Sequence, residues 1–272
     1  MDYATDNEIN IAIKKGVKFS DIFEKQEPVY GTCTKGFTSI HTTFGHECLR
    51  LKNGVQNIAS RLESRRYGAM LGGTSEFRKL EGITYNSNTN ELYLSVSEIN
   101  EKMLDDSMSD LGGNNDIKLT QNDCSAVYKL ALQENHKIAS KYVAHQMSPL
   151  IKGEPFKSKS NNCNLNKIAN PDNISYIPDA DTLIIGEDSS SGHQNDAIWA
   201  YDIKNEKLSR VLIIPYGSET TSVYYYKNFG GFSYIRATIQ HPYGESDKDK
   251  AKNDTDKRAY AGYFVLIPTV NN

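Results

Sequence analysis

From about residue 77 onward, short apolar runs alternate with polar turns. Ile174-Ser175-Tyr176-Ile177 and Thr182-Leu183-Ile184-Ile185 flank a turn of Pro178, Asp179, Ala180 and Asp181, which predicts a β-hairpin. Residues 77–85 and 91–97 flank residues 86–90 in the same way, with Glu98 after the second strand. Set side by side, ISYIPDADTLIIGED and ITYNSNTNELYLSVSE share one plan: strand, polar turn, strand, carboxylate. A repeat of that kind marks the blades of a β-propeller, whose innermost strands line a central channel. Further strands are predicted at 124–132, 197–202, 210–215, 222–227, 231–240 and 262–268.

The N-terminal third has a different pattern. Residues 6–25 space their apolar positions roughly as a helix does and predict two short helices packed on something larger. Residues 53–67 predict another helix, with Val55, Ile58, Ala59 and Leu62 on one face. Residues 28–50 mix Gly, Thr and His with two cysteines and read as an irregular loop. The polar insertion 100–123 fits a long blade-top loop, and the Lys/Asp run 246–258 fits a solvated or mobile one. The expectation is an all-β chain: a partial β-propeller of about three to four blades with short N-terminal helices. It spans 1–272 as one domain, with 1–27 as a helical extension.

Composition narrows the partners. A length of 272 residues is enough for a substantial core. A net charge of −3 supplies no basic field, which disfavours nucleic acid. Seventeen tyrosines lean toward strands, and nineteen glycines fit many tight turns. The cysteines are Cys33, Cys48, Cys124 and Cys163, with no CxxC spacing, so a zinc ribbon is disfavoured. Cys33 with Cys48 and Cys124 with Cys163 would form two local staples in an exported protein. Four free thiols in a reducing compartment are the other reading. The first twenty residues show no apolar signal region or twin arginine, and no window reaches the length of a membrane span.

Candidate chemistry centres on Gly186-Glu187-Asp188, where an apolar strand ends in two carboxylates before a Ser-Ser-Ser-Gly loop. Aimed together near His193, Asn195 and Asp196, those oxygens would suit a hard cation or a phosphate-binding metal site. Solvated loop acids would give the same pattern. His41 and His46 lack a second ligand at motif spacing. Asp105, Asp106, Asp110 and Asp116 match an EF-hand in composition, but the ligand spacing is wrong.

From about Asn53 to its end the chain resembles the C-terminal half of PhoX-type alkaline phosphatases, the group also called the DUF839 family. The likeness is densest in Arg65-Arg66-Tyr67, Phe77-Arg78-Lys79-Leu80-Glu81-Gly82, Asp116-Ile117-Lys118-Leu119, Ala126-Val127-Tyr128 and residues 167–173. It continues in residues 183–188, Asn195, Trp199-Ala200-Tyr201, Leu208-Ser209-Arg210, Ser218-Glu219-Thr220 and Gln240-His241-Pro242. The resemblance implies a six-bladed type of propeller whose channel holds calcium and iron, a phosphate ester as ligand, and a periplasmic or secreted location. By position it implies Glu81 as a metal carboxylate at the reacting centre and Lys79 as a cation for phosphate. Asp172, Glu187 and Asp188 would serve calcium, and Glu219 would be a further ligand, although Ser222 stands where the family motif has glycine. Lys79 paired with Glu81 across a strand, and His241 before Pro242 as a loop-packing residue, are the plainer readings.

The family's N-terminal half carries a cysteine-containing motif and a Pro-Trp-Gly/Asn-Thr…Glu-Glu motif with further ligands, and neither occurs here. The chain is therefore expected to be a fragment, a split gene product or a decayed member that takes its missing blades from a second chain. Two functions follow as expectations. One is a PhoX-like metal-dependent phosphomonoesterase, and the other is a non-catalytic remnant or calcium-binding propeller module. A lactonase-like propeller is a more distant third.

Overall fold

The computed structural model describes residues 3–42, 44–109, 111–244 and 250–268. Chain contacts divide it into two units, Met1–Phe77 with Asn100–Gln121 and Arg78–Ile99 with Asn122–Asn272.

In the first unit, α1 (Asp6–Lys14) starts at a capping box, with the Thr5 hydroxyl accepting from the Glu8 amide and the Glu8 carboxylate accepting from the Thr5 amide. The helix fully buries none of its side chains, but Ile9 and Ala12 are half-buried and Arg61 donates to Asp6 at its start. Next, α2 (Phe19–Ile22) runs into β1 (Phe23–Gln26). The segment expected to be an irregular loop holds β2 (Thr38–Thr42) and β3 (Gly45–Leu51), in an antiparallel sheet of order β1-β3-β2. Register within that sheet places Cys48 opposite Gln26 and Ser39, and Cys48 is disulfide-bonded to Cys33. The expected helix over 53–67 is two, α3 (Gln56–Leu62) and α4 (Ser64–Met70), broken at Glu63, whose φ is −135°.

Ile22, Phe23, Ile40, Leu49, Ala59 and Tyr67 form the core of this unit. Buried beside it is Glu47, which accepts from the Thr42 hydroxyl at 2.6 Å and Arg66 Nε at 2.9 Å. Burial works to raise the Glu47 carboxyl, and the Arg66 and Thr42 hydrogen bonds leave it below its ordinary range. The insertion 100–121 belongs to this unit, with Asn115 donating to both Asp105 and Asp106.

The second unit is built from meanders. Strands β4 (Leu80–Asn86), β5 (Glu91–Val96), β6 (Ala126–Asn135) and β7 (Ser140–Lys152) lie in that spatial order. Strands β8 (Pro171–Ile177), β9 (Thr182–Glu187), β10 (Ala197–Asp202) and β11 (Lys207–Ile213) repeat it. A third sheet holds β12 (Glu219–Phe229), β13 (Phe232–Gln240) and β14 (Tyr260–Pro268). The first strands are neighbours, β4 beside β8 and β8 beside β12. This is how propeller blades stack around an axis.

Alternation along the strands supplies the glue between blades. Leu183, Ile185, Trp199 and Tyr201 face Tyr93, Val127 and Ile151 of the preceding sheet. Their neighbours Ile184 and Ile198 face Val223, Ile235 and Ala237 of the following one. The predicted turn at 178–181 is a 3₁₀ turn, Pro178–Ala180, with Asp181 left-handed at φ 44°. A second disulfide joins Cys124 to Cys163. Of the expected loop 246–258, residues 246–249 lie outside the described residues and the rest is largely exposed. Among the described residues no helix is long and apolar enough to cross a membrane.

Candidate metal centre

Each blade of the second unit opens with an acidic residue on its first strand. Glu81 is second in β4, Asp172 is second in β8 and Glu219 is first in β12. All three strands start at the same end of the stack, so the acids meet there, joined by Asp188 just past β9. Carboxylate oxygens of Asp172, Asp188 and Glu219 all lie within 4.8 Å of one another.

Backbone irregularities re-aim these side chains. In β4, Glu81 and Gly82 lie between the Leu80–Val96 and Ile83–Leu94 pairs; in β8, Asp172 and Asn173 lie between the Pro171–Glu187 and Ile174–Ile185 pairs. Each strand thus carries one residue more than its partner, a β-bulge at the rim. The bulges also lock the blades together. Asn173 Oδ1 accepts from the Ser222 amide of β12 at 2.9 Å, and Ser97 donates to the Pro171 carbonyl at 2.8 Å. Gly82 has to be glycine, because a Cβ there would collide with the carbonyl oxygen of Asp172.

Crowding dominates the electrostatics. Asp172 is 9% exposed, and burial, followed by the charges of Glu81, Glu219 and Asp188, pushes its carboxyl up to about 7. Two basic side chains, Lys79 and His241, stand at the rim. Lys79 Nζ is 3.6 Å from Asp188, and His241 Nε2 is 3.0 Å from Glu219. Both sit on left-handed backbone, φ 45° at Lys79 and 34° at His241.

Glu187 lies elsewhere, contrary to the expectation from the sequence. Successive strand residues point to opposite faces, so while Asp188 joins the cluster Glu187 turns into the core with no exposure. Its oxygens accept from the Ala169 amide (2.8 Å), Trp199 Nε1 (2.6 Å), the Ala197 amide (2.9 Å) and His193 Nδ1 (3.0 Å). Four donors saturate it, and the carboxylate holds the blade together rather than facing a cation. The neighbours expected around the cation are structural too: Asp196 accepts from the amide and hydroxyl of Ser189, and Asn195 donates to the Ile214 carbonyl. Burial, then Glu187, raises the Asp196 carboxyl well above its ordinary range. His241, by contrast, contacts a cluster acid instead of merely packing in its loop. The signal for this was its place in the Gln240-His241-Pro242 motif.

The donor set fits a hard cation. Calcium binds carboxylate oxygens at about 2.3–2.6 Å, so oxygens up to about twice that distance apart can share one ion; the 4.8 Å spread of these three satisfies the limit. Glu81 stands outside that group of three, and its charge acts on Asp172. Cys33, His46 and Cys48 also converge in the first unit, but both sulfurs are consumed by the disulfide.

No family model matches the chain, and no curated protein matches it. Among solved structures the chain is similar to Pseudomonas fluorescens PhoX in complex with vanadate, a transition state analogue. The TM-score is 0.55 at 16% identity, over 85% of this chain and 43% of that one. The chain thus spans less than half the length of that protein. At that identity the likeness establishes architecture: the chain has a PhoX-like β-propeller fold.

Proposed function

We propose that the chain carries a metal-dependent phosphate-ester site of the PhoX kind and hydrolyses phosphomonoesters. The observation that carries this reading is the convergence of Asp172, Asp188 and Glu219 at one end of the blade stack, with Lys79 and His241 beside them. Asp172, Asp188 and Glu219 would hold calcium, and Glu81 would serve a second hard ion, iron in the PhoX-type pattern. Bound there, such ions neutralise phosphoryl oxygens and acidify bound water. Lys79 would be the cationic group for a phosphoryl oxygen, a reading supported by its position 3.6 Å from Asp188. His241 orients Glu219. The two disulfides support a periplasmic or secreted location.

A second reading has its own observation. The acids sit on strands cross-tied by Ser222 to Asn173 and Thr220 to the Glu187 carbonyl, so a cation held by Asp172, Asp188 and Glu219 would clamp the second and third blades. That is a calcium-binding propeller module without turnover. Assay of the purified chain on p-nitrophenyl phosphate, with calcium and iron, separates the two. Turnover that drops at least about 100-fold in Glu81→Gln and Asp172→Asn establishes the first. A calcium-raised melting temperature with no turnover establishes the second.

A further inference from the structure

The outer strand of the second blade carries an arginine whose charge the fold leaves unanswered. In the pairing of β10 with β11, Ile198 lies opposite Leu212 and Trp199 opposite Arg210, so Val211 is an extra residue on β11, a β-bulge. Without it Arg210 and Leu212 would share a face of the sheet. With it Leu212 packs beside Ile198 toward the following blade, and Arg210 turns to the other side, where its guanidinium lies over the Trp199 ring at 4.6 Å. Stacking uses the flat face of a guanidinium and leaves its N–H edge for an acceptor. Among the described residues no acid pairs with Arg210, and its side chain makes no hydrogen bond. Glu187, which accepts from the same indole, has its oxygens committed to four donors.

A recess of about 280 Å³ opens beside this arginine, lined by Asn161, Leu165, Gln194 and Ile213 among others, with no Asp or Glu among the described lining residues. Asn161 Oδ1 accepts from the Gln194 amide at 2.8 Å, which fixes the orientation of the carboxamide and leaves Nδ2 a donor with no partner among the described residues. Leu165 and Ile213 are exposed apolar walls. We infer that this recess binds a small organic anion: its carboxylate or phosphate head accepts from Arg210 and Asn161, and its apolar body lies on Leu165 and Ile213. A guanidinium edge presents parallel N–H donors to two oxygens of one such head. The site is distinct from the metal centre. Strands β11 and β8 are opposite edges of one four-stranded sheet, three strand spacings or roughly 14 Å apart. The inference stands whether or not the chain turns over phosphate esters.

Trp199 is the single tryptophan of the chain, so its fluorescence reports on whatever engages the group stacked over it. Metal-stripped protein is titrated with cyclohexanecarboxylate, with cyclohexylphosphonate and with the neutral cyclohexanecarboxamide, and calorimetry reads the same titrations without relying on the indole. At least one anion should bind saturably with a Kd of about 1 mM or tighter. The carboxamide should bind at least about 10-fold more weakly. The tighter of the two anions names the head group that the recess takes. Arg210→Met, which keeps the apolar stem and removes the charge, and Asn161→Ala should each weaken that anion at least about 10-fold, with circular dichroism showing that both variants are folded. Four results would overturn the inference: no saturable binding of either anion, equal affinity for the carboxamide, an affinity unchanged in Arg210→Met, or binding that appears only after calcium is added. The last would place the anion on the acidic cluster instead.

Discussion

Glu187 and Asp188 are adjacent in the chain and opposite in role. Glu187 satisfies four donors in the dry interior of the second blade; Glu187→Gln offers an amide to those donors and should destabilise the fold by about 3 kcal/mol in chemical denaturation. Calcium affinity should be unchanged in that variant, and a lost calcium response would return Glu187 to the ligand set. For His193, burial works to lower the imidazole, and the hydrogen bond and charge of Glu187 outweigh it and raise it. A raised folded pKa contributes stability that is full below the unfolded value and is lost as pH rises through the folded one. Asp172 follows the same sign. With its carboxyl raised from 3.8 to about 7, the metal-free fold loses stability as pH climbs through that window. The loss is up to about 4 kcal/mol if no cation intervenes. Calcium should therefore raise the melting temperature more at pH 8 than at pH 5. Asp172→Asn should flatten both dependences, and an equal calcium response at the two pH values would contradict this account.

The elements place these residues through bulges and close approaches. Gly82→Ala drives a Cβ into the Asp172 carbonyl, where backbone has to move. A loss of about 2–3 kcal/mol is expected by denaturation, together with a weakened calcium response, because the first two blades separate at the cluster. A variant with wild-type stability would show that the blades are not held this close. Such details were only partly legible in the sequence. The hairpins β4–β5 and β8–β9 could be read because both have apolar strands around a polar turn. Strand β7 gave no signal, since it is the outermost strand of its sheet and most of its side chains meet water. Strands β2 and β3 were hidden by their Gly, Thr and His content and by Glu47, a charge that Arg66, Thr42 and Lys25 make tolerable in a core. The two disulfides were one of the readings left open, and chain pairing decided between them. For the site, the acids were legible as strand-end carboxylates. Their faces were not, because a one-residue bulge reverses which side a carboxylate takes and leaves no mark in hydrophobic periodicity.

At the scale of the whole chain, the division into two units determines where a cation can act. Glu81, Asp172, Asp188 and Glu219 all belong to the second unit, and the first has its own sheet, core and disulfide. A ligand that binds only the native form stabilises whatever opens cooperatively with its site. Hydrogen exchange followed by mass spectrometry, with and without calcium, should therefore show added protection in β4, β8 and β12, whose amides flank the cluster and whose bulges are cross-tied. Strands β2 and β3 and helices α3 and α4 should exchange at the same rate in both conditions. Asp172→Asn should abolish the added protection in all three first strands together, since Asp172 shares its cluster with Glu219 of β12 and its backbone lies against Gly82 of β4. Protection confined to β8 and the turn after β9 would mean that Asp172 and Asp188 bind alone, and the clamp between the second and third blades would be lost. Protection spread evenly over both units would mean that the chain opens as one body, so that calcium is read by the whole fold rather than by the stack that holds the acids.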